Sequence, residues 1–535
     1  MNKKLSLFLL FLFAFYGAFE WATLFPFYPI ADFAGDMLTT NRIKDEGFLL
    51  VGHWSTWGFN HPGPFWLYYN YFIENILSIF PLNRLQMWRI GASFISASFI
   101  LYSALQLSKY FFEKYDYIFA FIFIFLFCHF VDQAGNLWMP WRITTPFLAF
   151  FVTLLFIQRG EFNYILPAVF LSCILIHGYA SMPLFTIPFL FLAFFIGYQK
   201  EKNLRKHRNI FIISTLIALF FASPIFIDYF INTPSNLETM LSVNQEIQDK
   251  NHPELFGVIY ELFYRWFNKD ESAYPVHLDY TFFLLLPIFG ILFLSSPDKK
   301  LKALFQNDFL SKLKSIVLLI ILFYALSIFY FWRFTFAPGF SPFLVYSSYY
   351  LNALPPLLMA TIIAPFYQGQ IKFQALWVSL AIILIAVVHL KLNLPSVRAN
   401  YQIKMLSDKI ETLAQNQKIN IGLDYLPADY INGYLIYPVL FKQVAIPSDN
   451  PPQNINPADL AFNNELTWFI LGVLEELNQR QINTCIVNTL NITPQMFTQK
   501  HICPQNEKAQ ITLTLPKNCR TQKCVAITEN FGLIQ

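Results

Sequence analysis

Charged side chains are scarce: Asp, Glu, Lys and Arg make up 13% of 535 residues, against roughly 25% in an ordinary soluble protein. That excludes a water-soluble globular enzyme, whose surface needs more charge than this chain carries. Glycine is thin as well, at 19 residues, and none of it forms a phosphate-cradling Gly-rich loop or a Walker-type sequence. Neither ATP nor a nucleotide-sugar donor is implied. The six cysteines include no Cys-x-x-Cys spacing, which weighs against structural zinc. A formal charge of only +4 gives no reason to expect a nucleic-acid partner.

Apolar residues are in excess. Hydrophobic side chains reach 56%, aromatics 19%, and Phe alone fills 62 positions. They recur as runs of about 20, the length that crosses a bilayer as a helix. The expected fold class is an α-helical polytopic membrane protein. Met1-Asn2-Lys3-Lys4 ahead of Leu5 to Phe19 reads as an uncleaved first span with its basic end in the cytoplasm, since no small-x-small cleavage site precedes Glu20. Further runs cover 65–80, 90–108, 117–131, 143–157, 164–180, 183–198, 210–227, 279–296, 315–332, 343–365 and 373–392.

Two connections set the orientation. Gln199 to Asn209 carries Lys200, Lys202, Arg205, Lys206 and Arg208; Pro297 to Lys314 carries Lys299, Lys300, Lys302, Lys312 and Lys314. Both belong in the cytoplasm by the positive-inside rule. Parity then requires that one early run does not span. The run at 65–80 opens with Asn60-His61-Pro62-Gly63-Pro64 and holds Tyr68, Asn70, Glu74 and Asn75, so it reads as an amphipathic helix at the interface. About eleven spans remain.

This topology divides the chain into a membrane domain over 1–392 and a soluble extracytoplasmic domain over 393–535. The membrane domain has a first outer loop over 20–88 and a second large one over 228–279. In the tail, alternation at Ile419 to Leu423, helical periodicity from Leu466 to Leu477 and the strand-like Thr484 to Val487 suggest an α/β or α+β fold. Cys485, Cys503, Cys519 and Cys524 all fall there. In an oxidising compartment they would form two disulfides, Cys519–Cys524 and Cys485–Cys503 being favoured among three pairings. Free thiols, or a zinc site with His501, are the other readings.

The first outer loop holds the candidate chemistry. Asp32 and Asp36 stand four residues apart, on one face of a helix that begins just after Pro29. Spacing alone fits a solvated face equally well, with Arg42 and Lys44 as counter-charges. His53 and His61 follow, able to bind a sugar hydroxyl or to serve in packing; no metal is assigned to them. Arg142, in Trp138-Met139-Pro140-Trp141-Arg142, and Arg333, in Trp332-Arg333-Phe334, are outer-leaflet arginines suited to a lipid-linked phosphate, because a guanidinium presents several donors in a fixed plane. Contact with ordinary lipid headgroups is the simpler role for each.

These residues meet a family. An acid in the first outer loop, a Gly-Phe-Leu step at Gly47-Phe48-Leu49, then Gly58-Phe59-Asn60-His61-Pro62-Gly63-Pro64 running into Phe65-Trp66-Leu67-Tyr68-Tyr69 resembles the GT-C superfamily of polyprenyl-phosphate-sugar glycosyltransferases. The pattern is similar to bacterial membrane proteins with Gly-Phe-x-His-Pro-Gly-Pro followed by aromatics, and more distantly to aminoarabinose transferases and protein mannosyltransferases. The resemblance covers residues 5–392 in architecture and 30–70 in motif. It implies that a first-loop acid is the catalytic base. By distance to Gly47 that is Asp32, with Asp36 second; Phe33 stands where many members have an adjacent acid, so the choice stays open. Tyr349-Tyr350-Leu351-Asn352-Ala353-Leu354-Pro355-Pro356 is similar to the start of a late span in the family, with Tyr349 where an Arg is common.

The implied reaction transfers a sugar from a polyprenyl-phosphate donor to a glycan, lipid or protein acceptor, at the outer face of a bacterial inner membrane. A divalent cation is neither required nor excluded by the sequence. A lipid-linked polysaccharide ligase or polymerase, and a non-enzymatic transporter of lipid-linked sugars, are the alternatives.

Overall fold

The computed structural model describes residues 3–19, 31–53, 59–131, 134–248, 308–334 and 349–367. It also describes short pieces near 255–259 and 404–412, most of 472–482, and the strands at 419–424, 484–486, 511–514 and 526–529. The expected spans at 279–296 and 373–392 lie outside these residues, as do the side chain of Cys485 and the whole of Cys503, Cys519 and Cys524.

Among the described residues five helical stretches are long and apolar enough to cross a bilayer: Arg84–Phe112, Met139–Ile157, Met182–Lys200, Leu204–Ile231 and Lys312–Arg333. In chain order the helices are α1 (Lys3–Ala18), α2 (Ala31–Glu46), α3 (Phe65–Leu77), α4 (Arg84–Phe112), α5 (Tyr117–Phe130), α6 (Met139–Arg142) and α7 (Thr144–Ile157). Then come α8 (Ile165–Gly178), α9 (Met182–Lys200), α10 (Arg208–Ile231), α11 (Asn236–Gln248), α12 (Asp308–Phe334) and α13 (Leu354–Tyr367). By contacts the chain forms two units: 1–21, 89–223 and 244–392 in the first, and 22–88, 224–243 and 393–535 in the second.

The first unit is organised around α7. Every residue of this helix is buried, which an all-apolar sequence permits and an amphipathic one would not. Two of its three threonines are reconciled with burial by hydrogen bonds: Thr153 Oγ1 donates to the Ala149 carbonyl at 2.6 Å, and Thr145 Oγ1 to Ser96 Oγ at 3.3 Å. Phe323 of α12 sits between Phe147 and Phe151 of α7 and stacks flat on Phe189 of α9 at 3.6 Å between centroids. By contrast α10 leaves Leu216 and Phe220 at 60% and 73% exposure. Such an apolar surface is stable only against lipid or another apolar body.

The basic residues collect at one end of this unit. Lys312, at the start of α12, donates to the Phe111 carbonyl at the end of α4 at 3.2 Å. Lys109 bonds Tyr164 Oη at 3.0 Å, Arg159 lies over the Tyr110 ring at 4.6 Å, and His207 meets Asn163 at 3.2 Å. His207 of the first basic connection and Lys312 of the second thus lie by the ends of these helices.

In the second unit α2 packs on α3 around Ile43, Leu49 and Leu67, with Val51, Tyr68 and Tyr71 against them. Tyr68 Oη accepts the Leu49 N–H at 2.8 Å. With 13 residues, α3 is too short to cross a bilayer. It buries Trp66, Leu67 and Asn70 and exposes Phe72 and Ile76, the division expected of a helix lying in an interface. The tail contributes a four-stranded sheet in the order β2-β1-β3-β4, built from Thr484–Ile486, Ile419–Asp424, Ile511–Thr514 and Ala526–Glu529. β1 runs parallel to both neighbours, and β3 pairs antiparallel with β4.

Candidate functional site

Within the second unit, the acid-bearing helix begins at Ala31, so Asp32 lies in its first turn and Asp36 one turn later. At 3.6 residues per turn their Cβ atoms share a face. Asp36 is half-buried; the Asp32 side chain lies outside the described ones. Thr39 and Thr40 return their hydroxyls to the Gly35 and Asp36 carbonyls at 2.9 and 2.7 Å, which keeps these small polar residues buried without breaking the helix.

The His-Pro-Gly-Pro segment folds back on residues 52–53. The Gly52 N–H donates to the His61 carbonyl and the His61 N–H to the His53 carbonyl, both at 2.9 Å. This two-rung ladder sets the imidazoles of His53 and His61 4.2 Å apart between centroids, with Phe59 edge-on to His61. A side chain at Gly52 would put its Cβ 2.7 Å from the Gly63 carbonyl oxygen and 2.9 Å from that of His61; only glycine allows the strands this approach. Burial lowers the His61 pKa to about 3. The ring is therefore neutral near pH 7, suited to hydrogen bonding a hydroxyl and unsuited to neutralising a phosphate. Among the described residues no three His, Cys, Asp or Glu side chains come together as a metal site.

A second element from far along the chain holds this turn. Asn236, the first residue of α11, accepts the Asn60 N–H through Oδ1 and donates Nδ2 to the Asn60 carbonyl, each at 2.7 Å. The side-chain amide imitates a neighbouring strand. Asp228 accepts the Asn236 N–H at 2.7 Å and the Asn232 amide at 2.8 Å. Ser235 and Glu238 form a reciprocal capping box at the head of α11: the Glu238 carboxylate accepts the Ser235 N–H at 2.8 Å, and Ser235 Oγ accepts the Glu238 N–H at 3.2 Å.

On another face of α2 lies a buried ionic cluster. Arg84 Nε donates to Glu74 at 2.6 Å, and its Nη1 to Glu475 at 2.7 Å, to Asn41 Oδ1 at 2.8 Å and to the Met37 carbonyl at 3.2 Å. The Trp88 ring lies 5.2 Å from the guanidinium carbon, and its Nε1 donates to Glu74 at 3.2 Å. Lys44 closes the outer side of Glu74 at 2.9 Å. Burial alone would push the Glu74 carboxyl up; the Arg84 charge and hydrogen bonds from Lys44 and Arg84 outweigh it and hold the group below its usual range.

The first unit holds the other candidates. Arg142 ends α6 and is 1% exposed, enclosed by the protein itself. The turn at Tyr349–Ala353 packs against α6 and α7. Tyr350 is buried there, its hydroxyl 3.0 Å from Ser327 Oγ and its ring against Phe147 and Phe185. Tyr349 contributes its backbone to that turn, and Arg333 is exposed in the last turn of α12. Arg142 and Tyr350 are thus on touching elements, at the end of α7 away from Lys109, roughly 20 Å along the helix axis.

Asn236, Asp228, Arg84, Glu74 and Glu475 are absent from the sequence-derived set. The Ser-x-x-Glu signature at Ser235 and the polar residue in the 65–80 run were visible signals, but each marks a helix, not its partner. Comparison with protein families, curated proteins and solved structures finds no match.

Proposed function

We propose that this protein is a GT-C-like membrane glycosyltransferase that moves a sugar from a polyprenyl-phosphate donor to a hydroxyl acceptor outside the cytoplasm. The observation that carries this reading is the arrangement of the first loop. Two carboxylates share a face of α2, while a neutral, buried His61 is held in a turn pinned by Asn236. A carboxylate, preferentially that of Asp32, takes the proton of the acceptor hydroxyl. The hydroxyl oxygen attacks the anomeric carbon, the bond from that carbon to the phosphate oxygen breaks, and polyprenyl phosphate leaves. A single displacement inverts the anomeric centre. His53 and His61 are assigned to sugar hydroxyls on the side of the acids; in the first unit Arg142 and Arg333 are assigned to a lipid-linked phosphate, with the Tyr349–Tyr350 turn beside Arg142.

The convergence of Lys109, Arg159, His207 and Lys312 at one end of the bundle supports a cytoplasmic placement of that end. About eleven spans in a bacterial inner membrane, a periplasmic α/β tail and its two disulfides belong to the same reading. Membranes containing the protein, supplied with an isotopically labelled polyprenyl-phosphate sugar, should release polyprenyl phosphate and add one sugar mass to a glycolipid, polysaccharide or protein. Movement of intact donor across the membrane without release would make the protein a transporter. Joining of a preassembled polymer would make it a ligase.

A further inference from the structure

We propose that Glu475, in the tail, is a positioning residue for the acid-bearing helix α2; the proposal rests on the transferase reading above. Glu475 is wholly buried, yet it lies 391 residues from its main partner, Arg84. Three donors surround its carboxylate: Arg84 Nη1 at 2.7 Å, Asn41 Nδ2 at 3.2 Å and Gln479 Nε2 at 3.1 Å. A buried carboxylate is tolerated only while such partners are in place, so this segment of the tail and the first loop are held together by one set of bonds. Charge is balanced inside the cluster, since Arg84 and Lys44 face Glu74 and Glu475.

The contacts fall on α2 itself, which separates positioning from mere attachment. Asn41 is a hinge of the network: its Oδ1 accepts from Arg84 while its Nδ2 donates to Glu475. Arg84 also reaches the carbonyl of Met37, the residue after Asp36. Met37 and Asn41 are one turn apart on a common face, and Asp32 and Asp36 on another, about 140° round the helix axis at 3.6 residues per turn. Anchoring the first face sets the rotation of α2 and hence the direction of the acids. Glu475 touches no reacting group; it acts through Asn41 and Arg84.

The test uses the full-length protein in membranes or detergent, with hydrogen exchange of the 31–46 peptide and steady-state transfer read in parallel. Glu475→Ala should speed exchange across 31–46 and lower kcat by about 10–100-fold, the scale of a misplaced catalytic group, with KM for the donor unchanged. Glu475→Gln keeps an acceptor for Arg84 and should recover most of both. Asn41→Ala leaves the Arg84–Glu475 pair and the Arg84 bond to the Met37 carbonyl intact and removes the side-chain link to α2, so it should reproduce part of the kcat loss, and faster exchange in 31–46, with the tail still docked. If Glu475→Ala fails to fold, Asn41→Ala decides alone. Wild-type exchange in 31–46 and wild-type kcat in Asn41→Ala would overturn the proposal. Should the wild-type protein transfer no sugar, the transferase reading falls while the exchange measurement still decides whether Glu475 and Asn41 hold α2.

Discussion

Replacing Asn236 with Ala removes two hydrogen bonds at a stroke, the 2.7 Å bond from the Asn60 N–H and the 2.7 Å bond to the Asn60 carbonyl. Asn60 is 7% exposed, so both backbone groups lose a partner where water has little access. Each such loss costs about 1–3 kcal/mol; partial access of water puts the pair near the lower end, about 2–3 kcal/mol together. Because 1.4 kcal/mol is tenfold in an equilibrium, local opening of the 52–61 ladder should become roughly 30–140-fold more frequent. Amide exchange at Asn60 and His61, measured on the full-length protein, reads that opening directly. Asn232→Ala, which removes only a donor to Asp228, should change it much less. Unchanged protection at Asn60 in Asn236→Ala would refute the clamp, and a uniform rise across the apolar helices would show global unfolding instead.

The catalytic assignment predicts that Asp32→Asn lowers transfer by about 10²–10⁴-fold with donor binding little changed; a larger loss from Asp36→Asn would exchange the two roles. Arg142→Lys keeps the charge but loses the fork geometry, so kcat/KM for the donor should fall about tenfold; an unchanged kcat/KM would remove Arg142 from the donor site. His61 is neutral when folded, with its pKa lowered from 6.5 to about 3 by burial. The unfolded chain takes up a proton there that the folded one refuses, so this contribution is complete above about pH 6.5 and is lost as pH falls toward 3. Glu74, held below its usual range, likewise stabilises above the ordinary carboxylate pKa and loses its contribution as pH falls through its lowered value. His61→Gln should flatten the thermal stability profile between pH 6.5 and about 4; an unaltered profile would place the acid sensitivity elsewhere. A reporter active only outside the cytoplasm should be silent when fused at Arg205 and active after Leu392, and the reverse would invert the topology.

Features that depend on a segment's own chemistry were legible before any fold was known. Pro29 and the pattern from Ala31 mark the start of α2, and the structure begins the helix there. The aromatic and polar mixture at 65–80 marks an interfacial helix, and α3 proves too short to cross. The burial of Arg142 was not legible: a lone arginine between apolar runs suits a lipid-linked phosphate or a headgroup, and only the packing of α6 against α7 and the 349–353 turn shows it enclosed. The run at 117–131 also reads as a span, yet α5 has only 14 residues, because helix ends answer to their neighbours as well as to hydropathy.

The sequence by itself determined that several helices are long and apolar enough to cross a bilayer and where Lys and Arg gather between them, since apolar length and charge placement are properties of a segment's own residues. Tertiary structure alone decided which distant groups meet: Glu475 with Arg84 and Asn41, Asn236 with Asn60 across 176 residues, Tyr350 with Ser327, and α7 rather than its equally apolar neighbours as the buried centre. Hydrophobic burial is non-directional and says only that a face must be covered. Hydrogen bonds and ion pairs are directional and need both partners at a few ångströms, so their pairing exists only once the chain has brought them together.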